Sequence, residues 1–160
     1  MTIDAFDWQQ YDQRRPIPGS TSYMYGVDSY LDGVCAMDYD PWVHAEDLGV
    51  PVIFRPDLPT PKMVACYSRR KQAIFVRPNQ HFIVERCAIA HEIVHFENDD
   101  VGTTRTQEDR ANRIAARRLI RASRIAELYG ITDDPDRIAL HLEVTERMLR
   151  VYFENHRDRL

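Results

Sequence analysis

The chain has 160 residues, is 44% hydrophobic and carries a formal net charge of −4. That is enough chain for one domain with its own core, and the acidic balance argues against a general nucleic-acid binder. No run of 18 apolar residues exists to span a membrane, and Met1-Thr2-Ile3-Asp4 does not open a secretory leader. The cysteines are Cys35, Cys66 and Cys87, an odd set with no C-x-x-C pair. Reduced thiols in a cytoplasm are the expectation.

Residues 1–28 read as a flexible segment, because Gln9-Gln10 and the Pro16-to-Ser22 stretch are poor core formers. Residues 29–160 read as one folded domain. Asp40-Pro41 is a helix start, with Asp as the cap and Pro in the first position, and Gly49 ends that helix. Val50 to Phe54 predicts a strand, closed by Arg55-Pro56-Asp57. Met63–Tyr67 and Gln72–Val76 predict a hairpin around Ser68-Arg69-Arg70-Lys71. Pro78-Asn79 is the expected cap of the next helix. A small antiparallel sheet that precedes the helices predicts an α+β fold.

Phe82 to Phe96 is apolar on nearly every side, which predicts a buried helix. Within it lies His91-Glu92-Ile93-Val94-His95, an H-E-x-x-H pattern. Residues four apart on a helix differ by about 400° of rotation and about 6 Å of rise, so both imidazoles share one face. They can reach one metal ion, and Glu92 is placed to take a proton from water there. Burying these polar groups without partners is costly, and a metal satisfies both His at once.

Zinc needs a third protein ligand and an open position. Glu97 sits two residues past His95 and points away, while Asp99 and Asp100 lie in the loop that leaves the helix. Glu108 has the better geometry, in the first turn of a helix with Thr106 as cap and Asp109 as its capping-box partner. That helix is predicted to run from Glu108 to Tyr129 and to end at Gly130. It carries an arginine stripe, Arg110, Arg113, Arg117, Arg121 and Arg124, opposite Ala111, Ala115, Leu119, Ala122 and Ala126. A solvated face is the usual meaning of such a stripe, and a dock for an acidic protein is the sharper one. Asp134–His141 and Thr145–Asn155 predict two last helices. They could form a helix-turn-helix, but Glu143 and Glu146 would face phosphates unfavourably. Two amphipathic helices that complete the core are the favoured reading.

The run Glu108-Asp109-Arg110-Ala111-Asn112-Arg113-Ile114-Ala115-Ala116-Arg117-Arg118-Leu119 resembles the E-x-x-A-N-x-F-A-A-x-x-L segment of the ImmA/IrrE family of metallo-endopeptidases. In that family it follows an A-H-E-x-x-H helix, as it follows Ala90-His91 here. Ala45 to Val52 is similar to the family's A-x-x-L-G-I-x-V entry into its sheet. Three positions depart: Val94 stands where many members have Gly, Ile114 replaces Phe, and Arg121 replaces a Pro that often ends the helix. The resemblance implies a zincin-like domain with zinc on His91, His95 and Glu108, and Glu92 as catalytic base. It also implies a narrow protein substrate, typically a helix-turn-helix repressor of a phage, mobile element or stress response. The rivals are a zinc-stabilised protein that disables a repressor by contact, and a DNA-binding regulator acting through the last two helices.

Overall fold

The computed structural model describes residues 38–156 except Thr103 and Tyr129; the segment 1–28 and Cys35 therefore lie outside the described residues. Among the described residues the fold is α+β, with six helices and a three-stranded sheet. Asp40 caps α1 (Pro41–Asp47), its carboxylate accepting from the Trp42 and Val43 N–H groups at 2.8 and 3.4 Å. Gly49 then takes a left-handed φ of 68°, which turns the chain into the sheet.

The strands are β1 (Val52–Phe54), β2 (Ala65–Ser68) and β3 (Ala73–Val76), in the order β1-β3-β2. β2 and β3 form the expected antiparallel hairpin, pairing Tyr67 with Ile74. β1 departs from expectation: it lies parallel to β3, with Ile53 opposite Phe75. The cause is the 55–64 loop, which crosses over before β2 and leaves β1 and β3 running the same way. Arg77 pins that loop, donating to the carbonyls of Pro56, Thr60 and Met63 at 2.7, 2.9 and 2.9 Å.

Helix α2 (Phe82–Glu97) carries the H-E-x-x-H pattern. His81, rather than Pro78-Asn79, caps it, through Nδ1 accepting from the Ile83 N–H at 3.2 Å. Ile89 and Ile93 pack on the sheet with Ile74 and Val76. Cys87 and Ala90 pack on the other side, with Ala115, Ala116, Leu119 and Leu149. The expected all-round burial fails at Phe82, which is half exposed and stacks on Trp42. Arg86 is buried, and its guanidinium donates to the Tyr39 and Glu143 carbonyls at 2.9 and 2.8 Å. That arginine ties α2 to the turn between the last two helices.

Helix α3 (Arg105–Leu119) begins earlier than predicted. The capping box is Thr104 with Gln107, not Thr106 with Asp109. The predicted long helix breaks at Ile120, which is extended at φ −117°, ψ 117°, and α4 (Ala122–Leu128) starts afresh. Leu119 and Ile120 are both buried in the core cluster formed with α5 and α6, and the extended Ile120 keeps its side chain there as the chain leaves α3. The break falls beside Arg121, where the resembled family often has Pro. It exposes Ala122 and Ala126, which were expected on the apolar face. It also divides the arginine stripe: Arg113 and Arg117 stay exposed on α3, while Arg121 and Arg124 lie past the break and approach Asp38 at 3.6 and 4.0 Å.

Helices α5 (Pro135–His141) and α6 (Glu146–Glu154) complete the core, burying Ala139, Met148, Leu149 and Tyr152. No described helix is long and apolar enough to cross a membrane. Ile93 is fully buried at the helix–sheet contact. Ile93→Ala should therefore cost about 2–5 kcal/mol. Urea denaturation checks this, and an unchanged midpoint would contradict the two-sided burial of α2.

Candidate metal centre

With the sheet on one side of α2 and helices on another, its third side faces a cleft of about 350 Å³. His91, Glu92 and His95 line it, together with Glu108 from the first turn of α3. His91 Nε2 and His95 Nε2 lie 3.0 Å apart. Glu108 closes the triangle, with Oε2 at 3.2 Å from His91 Nε2 and Oε1 at 3.3 Å from His95 Nε2. One atom from each of the three residues falls within 4.8 Å of the others, a set that could hold a metal ion. Glu97 points elsewhere, pairing with Arg118 at 2.8 Å.

Glu92 is not part of this triangle. Its Oε2 accepts from the Tyr67 backbone N–H at 2.7 Å. Tyr67 lies on β2, which has no second strand neighbour among the described residues, so the outer edge of the sheet reaches the site. The Tyr67 hydroxyl accepts from Gln72 Nε2 at 2.9 Å. Cys87 does not face the cleft; its Sγ accepts from the Thr145 N–H at 3.4 Å within the core.

A family model for the IrrE N-terminal-like domain matches residues 45–154. The chain belongs to this family. No curated protein and no solved structure matches it. The match spans the sheet, α2, α3 and the last two helices of this IrrE-like domain, so the whole cleft lies inside it. The family is one of metallopeptidases, in keeping with the His91, His95 and Glu108 cluster.

The electrostatics of the IrrE-like cleft suit a cation. Hydrogen bonds to His91 and His95 hold Glu108 well below the usual carboxylate range. Burial works against a charge on His95. Its bond to Glu108, the charge of Glu92 and its bond to Asp100 outweigh that and raise the ring to about 9. The position between these groups therefore favours positive charge. Two imidazoles and one carboxylate with an open fourth side are a donor set that zinc accepts. Burial pushes Glu92 up, against the pull of His91, His95 and the Tyr67 N–H, which suits a group that must accept a proton. Burial, and then Glu92, pushes the Cys66 thiol up to about 12. Cys66 also lines the cleft, but as a neutral thiol it is a poor ligand.

Sequence reasoning missed two contributors. The Tyr67 N–H is a backbone group with no side-chain signal. Asp100, set aside as a loop residue, has its Oδ2 2.8 Å from His95 Nδ1. Metal analysis of the purified chain should find about one zinc per molecule. His95→Ala and Glu108→Ala should each lower that content sharply. Asp99→Ala should not, because Asp99 pairs with Arg69 at the cleft rim. Full zinc content in Glu108→Ala would remove Glu108 from the set.

Proposed function

We propose that this domain is a zinc-dependent endopeptidase that cuts a specific protein in the cytoplasm. A helix-turn-helix repressor is the substrate class that the family resemblance implies. The observation that carries the reading is the placement of Glu92. Its carboxylate is held on the Tyr67 N–H, beside the His91, His95 and Glu108 cluster and outside it. A residue at that point serves chemistry rather than ligation.

His91, His95 and Glu108 would hold the zinc. Zinc in such a site acidifies water and polarises a peptide carbonyl. The Tyr67 N–H holds Oε2 of Glu92, which leaves Oε1 to take the proton of the attacking water. The same carboxyl can then pass that proton to the leaving amine. The outer edge of β2 offers backbone groups on which an extended peptide can lie, and Met63, Ala65 and Val101 line the cleft with apolar surface. A substrate strand there brings its carbonyl past Glu92. Cys66 and Cys87 are both free and buried, in keeping with a reducing compartment.

Glu92→Gln separates chemistry from binding. It should keep its zinc and lose cleavage of a repressor substrate by at least about a hundredfold. Cleavage assayed on gels beside metal analysis reads both. Repressor inactivation that survives Glu92→Gln unchanged would replace the peptidase reading with inactivation by contact.

A further inference from the structure

Asp100 also lines the cleft and meets His95 at Nδ1, the ring nitrogen that does not face His91 and Glu108. It follows the end of α2, where Asp99 takes a left-handed φ of 50° and the Asp100 N–H donates to the His95 carbonyl at 3.0 Å. That turn folds the Asp100 side chain back onto the helix it has just left. Its Oδ2 meets His95 Nδ1 at 2.8 Å. Its Oδ1 accepts from Gln107 Nε2 at 3.2 Å and from Arg110 Nη2. Gln107 and Arg110 flank Glu108 on α3. One buried carboxylate thus holds the ring of His95 with one oxygen and the turn that carries Glu108 with the other.

We propose that Asp100, held by Arg110 and Gln107, is a positioning residue. It fixes His95 with Nδ1 protonated and Nε2 turned to the metal, and it sets Glu108 in register with both histidines. This rests on the metal reading of His91, His95 and Glu108. The chemistry is general: an imidazole that donates one N–H to a carboxylate presents its other nitrogen as a lone pair, in one orientation. A plain ion pair between Asp100 and Arg110 would leave His95 free to rotate or to change tautomer. The observed geometry spends one oxygen on each task. Arg110 reaches the cluster through Asp100, its ion-pair partner there.

The test uses the full chain loaded with Co²⁺, together with Zn²⁺ affinities. Proton NMR of the Co²⁺ form resolves the ring N–H of each ligand histidine. In the wild type the His95 Nδ1–H signal should persist, protected by Asp100. Asp100→Ala should lose that signal to solvent exchange and raise the Zn²⁺ Kd about 10–100-fold. Arg110→Gln should raise the Kd less. The double variant should bind no more weakly than Asp100→Ala, since the two residues act as one unit. Should Asp100→Ala not fold, Asp100→Leu, which fills the space without an acceptor, and Arg110→Gln give the same two readings. A variant with unchanged Zn²⁺ affinity and an unchanged ring signal overturns the positioning role. A wild type that takes up neither ion overturns the metal reading beneath it, which is a different result.

Discussion

Helix α2 is wedged between the sheet and the helical layer, and the rest of the site depends on that wedge. Ile89 and Ile93 are sealed against β3, while Ala90 and Val94 are sealed with no measurable exposure. The sector of the helix that faces the cleft is left to polar side chains. His91, Glu92 and His95 occupy it. The cost of placing three titratable groups at the rim of an apolar core is met by giving each a partner. The partners come from three separate elements: Glu108 from α3, the Tyr67 N–H from the edge of β2, and Asp100 from the loop between helices. The fold brings the sheet edge and the start of α3 to the same face of α2.

The site divides its carboxylates by environment. Glu108 meets two imidazoles directly and is held ionised. Glu92, desolvated and touching a backbone N–H, is pushed toward holding a proton. Asp100 is buried, which disfavours its charge, but the bonds from Arg110 and His95 keep it below its ordinary value. Three acidic side chains within one cleft thus differ in their hold on a proton, according to what each one touches.

Much of this was legible in the chain. The H-E-x-x-H pattern inside an apolar run marked both the helix and its polar sector. Glu108 was legible as a first-turn residue facing back, although its cap was misplaced. Thr104 and Thr106 are equally good caps by residue type, and Gln107 serves a capping box as well as an acid does. What stayed hidden has a common cause: it depends on chain direction or backbone groups, which side-chain patterns do not encode. The parallel run of β1 is set by a loop that Arg77 clamps from a distance. The helix break at Ile120 falls where no Pro or Gly marks it, at a residue buried in the core. Asp100 reaches His95 only because Asp99 takes a left-handed turn, a conformation Asp tolerates without announcing it.

The central claim is that His91, His95 and Glu108 form one metal centre with nitrogen and oxygen ligands. X-ray absorption at the zinc edge of the loaded protein tests it most directly. The expected spectrum has two imidazoles and a carboxylate oxygen in a shell at about 2.0–2.2 Å, with no sulfur. A sulfur shell at about 2.3 Å would place Cys66 in the first coordination sphere and contradict the account. So would a spectrum showing only light-atom solvent scattering without imidazole.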